Sequence, residues 1–179
     1  GDSSPVLAAR MTDRLVRDSG IEPLLKSWTL IDNHDTSRLA SQLPRQDLRR
    51  LAQVLQFTLP GSPNLYYGSE VGMAGAGDPG SRGPMRWDLV RDDNDDLRWT
   101  RQLIALRKQH RALRVGDYRG IESQRLFAFE RHTDRVLDTV IVLANPGDRP
   151  VRERVLVANA ELMDGTPMVD LLAPAGTPA

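Results

Sequence analysis

The sequence predicts an α/β chain in two parts: a parallel, crossover-connected part over residues 1–113 and a small antiparallel β-domain or sandwich over residues 114–179. Two observations predict it. A strand, a helix and a second strand follow one another within about 40 residues, the order of a crossover unit in a parallel sheet. After Leu113, short β-branched and aromatic runs alternate with turn residues at close spacing, as in a small antiparallel sheet.

Leu7, Met11 and Leu15 recur every fourth residue between Pro5 and Asp18, which predicts one apolar face of a helix, with Gly20 placed to stop it. Ser27-Trp28-Thr29-Leu30-Ile31 is rich in β-branched and aromatic residues and runs into the polar cluster Asp32-Asn33-His34-Asp35, a strand followed by a functional loop. Between Pro44 and Leu59, Leu48, Leu51, Ala52, Leu55 and Leu59 share a helical stripe, with Pro44 in the first turn and Pro60-Gly61 as the stop. The second strand is predicted over Asn64 to Tyr67. The aperiodic, glycine-rich stretch from Gly68 to Asp88 reads as a binding loop. Asp92 to Asp96 then precede a helix over Leu97 to His110, where acidic side chains suit the positive end of the dipole and Trp99, Leu103 and Leu106 share a face. Strands are predicted at 126–129, 139–143 and 151–157.

Composition excludes more than it assigns. With 24 basic against 24 acidic residues there is no electrostatic footprint for nucleic acid or an anionic membrane. No apolar run approaches the roughly 20 residues that span a bilayer. The absence of cysteine removes disulfide and thiolate chemistry and leaves the compartment open, the cytoplasm being slightly favoured.

Asn33, His34 and Asp35 stand with Asp32 at the carboxyl end of a predicted parallel strand, where ligands and catalytic groups gather in such folds. Two plainer readings stand beside this: Asp32 or Asp35 capping a turn, and a metal site from Asp32, His34 and Asp35 that lacks an identifiable further ligand. Glu70 and Asp78 follow the second strand and could join Asp35 as paired carboxylates, the equipment of glycoside hydrolysis. Arg82 could hold a hydroxyl or a carboxylate. Tyr66 and Tyr67 read as packing residues, His110 and His132 as surface residues.

These segments carry a resemblance. Leu30-Ile31-Asp32-Asn33-His34-Asp35-Thr36-Ser37-Arg38 resembles the seventh-strand motif of the α-amylase superfamily, glycoside hydrolase family 13, and Pro60 to Met73 resembles its eighth-strand motif. Asp78-Pro79-Gly80-Ser81-Arg82-Gly83-Pro84-Met85-Arg86-Trp87-Asp88 is similar to a loop of its neopullulanase, cyclomaltodextrinase and oligo-1,6-glucosidase branch, and Leu103 to Tyr118 to its last barrel helix and the start of its C-terminal β-domain. The resemblance implies the last two strands and flanking helices of a (β/α)8 TIM barrel, followed by an antiparallel β-domain. It implies that Asp35 stabilises an oxocarbenium-like transition state while binding the sugar 2- and 3-hydroxyls. His34 and Asn33 would bind the same ring, and Asp78 and Arg82 would contact glucosyl units further toward the non-reducing end. The implied partner is an α-glucan or maltooligosaccharide. No cofactor is implied; calcium occurs in some members, but no ligand set for it can be assigned here.

The departures bear on activity. A retaining enzyme needs a nucleophile and an acid/base carboxyl about 5–5.5 Å apart, which the family supplies from earlier strands, and nothing here resembles those motifs. A complete barrel takes about 250 residues, so the first part reads as a truncated barrel and the chain as a fragment, inactive alone. Ser69 stands where the family often has Asp, and the end at Ala173 to Ala179 stops short of a closing strand. Two other readings stay open: a self-contained small hydrolase using Asp35 and Glu70, and a non-catalytic α-glucan-binding module. Open sheet edges also favour a homo-oligomer.

Overall fold

A computed structural model describes residues 4–160, 162–163 and 165–173; the expectation about the chain's last residues lies outside these. The elements in order are α1 (Pro5–Ser19), α2 (Ile21–Leu25), β1 (Trp28–Thr29), α3 (Leu39–Gln42), α4 (Gln46–Thr58), β2 (Ser62–Pro63), the single turn α5 (Gly77–Gly80), α6 (Asp95–Gln109), α7 (Arg111–Val115), β3 (Asp117–Ile121), β4 (Phe127–His132) and β5 (Val140–Ala144). Among the described residues, no helix is long and apolar enough to cross a membrane.

The predicted crossover unit is present. β1 and β2 pair in parallel, Trp28 opposite Ser62 and Thr29 opposite Pro63, with α4 between them in sequence. One side chain stitches the helix to both strands: Gln56 Nε2 donates to the carbonyls of Thr29 and Asn64, each at 3.0 Å, while Thr29 Oγ1 donates to the Gln56 carbonyl at 3.1 Å. The second strand lies earlier than the predicted Asn64 to Tyr67, because after Asn64 the chain leaves the sheet for the rim. Gly61 allows the tight approach: its φ is 130° and a Cβ there would sit 2.8 Å from Thr29 Cγ2.

α1 begins as its sequence dictates, with Ser4 Oγ accepting from Leu7 N at 3.2 Å and Pro5 in the first turn. Its packed side differs from the apolar stripe in the sequence. Leu7, Met11 and Leu15 are about half exposed, whereas Ala8, Ala9 and Val16 face the core. The small alanines let the helix approach the sheet, and a Cβ on Gly120 of β3 would collide with Asp13 of α1. In α6, Asn94 caps the first turn by accepting from Leu97 N at 3.0 Å. Leu103 and Leu106 are buried as expected, but Trp99 is only half-buried and stacks on the Arg50 guanidinium of α4.

The antiparallel sheet has the order β3-β4-β5. The predicted strands at 126–129 and 139–143 correspond to β4 and β5, but the third strand is β3, not residues 151–157. Residues 151–157 keep the alternating burial of a strand yet make no ladder. They form an extended strap held by side chains: Glu153 accepts from Ser123 Oγ at 2.9 Å and Gln124 N at 2.7 Å, and Arg119 donates to the Ala158 carbonyl. His132, expected on the surface, is largely buried, 3.6 Å from the fully buried Glu130, which Arg119 approaches to 2.9 Å. His110 is half-buried between α6 and α7.

One core joins sheet and helices. Phe127, Phe129, Val140, Val142 and Ala144 of the sheet cluster with Leu106, Ala112 and Leu113, and residues of α1 and α4 pack against them. Arg131 is fully buried at this junction. It donates to the carbonyls of Thr58 at 2.7 Å, Gly116 at 2.8 Å and Asp117 at 3.1 Å. Burial, with Arg107 close by, pulls its guanidinium down to about 10.

Arg131→Met should therefore lower stability by about 3–5 kcal/mol in chemical denaturation, since it leaves buried carbonyls without donors. The Tyr118 phenol gives a pH signature. Burial, with the Asp13 carboxylate beside it, raises it well above its ordinary 10.0. Below pH 10 both folded and unfolded chains keep the phenol proton; above it the unfolded chain loses its proton first, so stability falls with rising pH. The stability of the parent chain relative to Tyr118→Phe should be flat below pH 10 and decline above it.

Candidate functional site

The connections that leave the carboxyl ends of β1 and β2, residues 30–38 and 64–94, meet on one rim. Asn33 shapes the first of them: its Oδ1 accepts from Asp35 N at 2.8 Å, and its own N–H is met by Thr36 Oγ1 at 3.1 Å. This turn holds the Asp35 carboxylate between a guanidinium and an imidazole. Oδ1 lies 3.2 Å from Arg82 Nη2, and Oδ2 lies 3.2 Å from His34 Nε2. Arg82 also donates from Nε to the His34 carbonyl at 3.2 Å and lies 3.8 Å from Asp78 Oδ1. The five residues singled out in the sequence, Asn33, His34, Asp35, Asp78 and Arg82, are thus brought into one cluster.

The other acidic candidates make their hydrogen bonds elsewhere. Glu70 lies in a 3-10 turn, Ser69–Val71, whose carbonyl at Glu70 faces Thr100 of α6 at 3.5 Å. Among the described residues its carboxylate makes no hydrogen bond or ion pair with the cluster. Asp32 is buried and engaged elsewhere: its Oδ2 accepts from Leu39 N at 2.8 Å, capping α3, and from Ser69 Oγ at 2.7 Å. The capping role is the one that forms, and no group of three or more His, Cys, Asp or Glu side chains that could hold a metal exists among the described residues. Ser69, which departs from the family pattern, ties the β2 connection to the β1 connection.

The ionisable side chains of the cluster, His34, Asp35, Asp78 and Arg82, are half to two-thirds exposed. Ion pairs this exposed contribute only about 0–1 kcal/mol each, so their geometry depends on buried partners beneath. Arg38, fully buried and not singled out in the sequence, is the centre of that support. Its N–H donates to the Gly75 carbonyl at 2.9 Å and its Nη1 to the Tyr67 carbonyl at 2.5 Å. Its guanidinium lies 4.7 Å and 4.6 Å from the ring centres of Tyr66 and Tyr67. The two tyrosines pass the constraint on: Tyr66 OH donates to the Ser81 carbonyl at 3.3 Å and Tyr67 OH to the Gly83 carbonyl at 2.7 Å. Arg82 is held on both sides. Ser81 Oγ closes the circuit on the His34 carbonyl at 3.2 Å. The only signal for Arg38 in the sequence is its place four residues beyond His34.

The result is an open, polar site in which carboxylate, imidazole and guanidinium groups lie together, a set with both donors and acceptors for hydrogen bonds to a polar ligand. A surface hollow of about 920 Å³ lies elsewhere, lined by the start of α1, Arg125 and residues 145–151. It contains none of these groups, so side-chain chemistry rather than volume locates the site.

Comparison with known proteins finds relatives in one enzyme family. The alpha-amylase catalytic-domain family matches residues 20–95. A cyclomaltodextrinase of a Bacillus species is 38% identical over 122 residues, covering 66% of this chain and 22% of that protein. Neopullulanase 2 of Thermoactinomyces vulgaris is 36% identical over 126 residues, covering 68% and 21%. The solved structure of a debranching enzyme from Nostoc punctiforme in its native form superposes with a TM-score of 0.66 at 30% identity, covering 73% of this chain and 27% of that one. The chain thus spans about a fifth of the length of these curated relatives.

If the tyrosines hold the rim, Tyr67→Phe should cost about 0.5–1.5 kcal/mol, one hydrogen bond. Amide exchange should quicken at Arg82 and Gly83 while the sheet amides of β4 stay protected.

Proposed function

The segment 20–95 is alpha-amylase family catalytic-domain sequence, and from that premise we propose that the chain is the C-terminal part of a glycosidase or glucanotransferase acting on α-1,4- or α-1,6-linked glucans with retention. Its first 113 residues contribute the last barrel strands and helices, and residues 114–179 the β-domain. Asp35 is the transition-state stabiliser. Its carboxylate accepts the 2- and 3-hydroxyls of the reacting glucosyl unit, and such charge-assisted bonds speed reaction to the extent that they tighten as the ring flattens. His34 and Asn33 bind and orient the same unit, while Asp78 and Arg82 hold units toward the non-reducing end. The observation that carries this reading is the convergence of all five side chains on one rim.

A second reading, a non-catalytic α-glucan-binding module, is favoured by one feature: both carboxylates of the cluster, Asp35 and Asp78, face the same Arg82 guanidinium, an arrangement suited to holding a ligand's hydroxyls rather than to nucleophilic or acid/base work. Both readings expect the 179-residue chain to bind maltooligosaccharides without turning them over. Incubation with maltooligosaccharides and an aryl α-glucoside should release no product. Turnover abolished by Asp35→Ala would overturn that expectation.

A further inference from the structure

We propose that Trp87 is an additional sugar-binding platform, stacking on a glucosyl unit of an α-glucan chain that engages the Asp35 rim; the proposal rests on the glucan-binding reading above and extends its site. Trp87 is 75% exposed, although indole is among the most apolar surfaces a chain can carry. It is also held still. Arg86 grips Asp88 across it with two parallel bonds, Nε to Oδ1 at 2.8 Å and Nη2 to Oδ2 at 2.6 Å. The backbone closes the same turn, Leu89 N donating to the Arg86 carbonyl at 3.0 Å and Val90 N to the Trp87 carbonyl at 3.1 Å. On either side, Met85 and Leu89 pack into the cluster of Val71, Met73 and Leu97. Neighbours at 85 and 89 are drawn inward while the ring between them faces solvent.

Placement identifies the occupant. Trp87 belongs to the β2–α6 connection that carries Asp78 and Arg82, at the carboxyl end of the parallel strands. Four residues lie between it and Arg82, five Cα steps, so the two Cα atoms are at most about 18 Å apart. An oligosaccharide of several units anchored at Asp35 and Arg82 spans even that upper limit, and its contact with Trp87 adds to those that a short sugar makes at Asp35 alone. A glucosyl ring offers an apolar C–H face edged by hydroxyls. The Trp87 ring complements the face, and the Arg86 and Asp88 groups flanking it complement the edge. A rigid Trp gives this contact at low conformational cost.

The test uses the chain with Trp28→Phe, which leaves Trp87 as the exposed indole beside the stacked Trp99. Titration with maltoheptaose should shift its emission. Trp87→Ala should weaken maltoheptaose binding about tenfold or more, as a binding anchor does, Trp87→Phe should recover most of the loss, and maltose binding should change little. Unchanged maltoheptaose affinity in Trp87→Ala, with binding still lost in Arg82→Ala, overturns the platform and spares the Asp35 site. Loss in Trp87→Ala but not in Arg82→Ala supports the platform and removes the Asp35 site. A parent chain that binds no maltoheptaose overturns both. Light scattering that shows Trp87→Ala dissociating an oligomer, with sugar affinity unchanged, assigns the ring to a second copy and overturns the proposal.

Discussion

A single buried charge joins the two halves of this molecule. Helices end with carbonyls that lack partners within the helix, and here the ends of α4 and α7 and the start of β3 are brought together in a buried interior. The Arg131 guanidinium of β4 answers all of them, through Thr58, Gly116 and Asp117. Arg107 repeats the device one layer away, donating to Phe57 at 2.6 Å and to Gly61. Only a planar fork with five donors can serve several carbonyls from a fixed position. Desolvation lowers its affinity for the proton to about 10, yet leaves it charged at neutral pH. The sheet is therefore docked by directional bonds as well as by the apolar cluster around Phe129.

From that joint the constraint passes to the rim. Arg131 fixes the end of α4 and Gln56 of the same helix fixes β1 and β2, so the two connections leave the strands in a set relation. Asp32 with Ser69, and Arg38 with the two tyrosines, then lock those connections to each other. The exposed groups inherit their positions from buried ones. This division suits a binding site, because side chains that must exchange partners with a ligand stay in water while those that must not move are withdrawn from it.

Much of this could be read in the sequence, and the failures share one cause. The crossover unit was legible because local spacing encodes it, whereas the grouping of Asn33, His34, Asp35, Asp78 and Arg82 was implied by the family resemblance and not by spacing. The packed side of α1 was not, because periodicity reveals a stripe without saying whether Leu7 and Met11 or Ala8 and Ala9 meet the sheet. Residues 151–157 have a strand's alternation, and only tertiary structure shows that their partners are the side chains of Ser123 and Arg119 rather than a ladder. β3, with Asp117, Arg119 and Gly120, hides a strand in polar sequence. Arg38, Arg131 and Glu130 look like any surface charges until the fold buries them.

The weakness of the visible ion pairs follows from the same logic and bears on the role proposed for Asp35. A carboxylate that serves a transition state must be oriented before the sugar arrives and free to exchange partners when it does. Were Asp35 buried against Arg82, removing that contact would cost several kcal/mol and a hydroxyl could not compete. Exposed as it is, each contact is worth about 1 kcal/mol or less, comparable to the hydrogen bond a sugar hydroxyl offers in return. The Asn33 turn and the tyrosine-held loop supply the orientation that the ion pairs are too weak to impose, so the carboxylate is aimed by the backbone and remains available to the ligand.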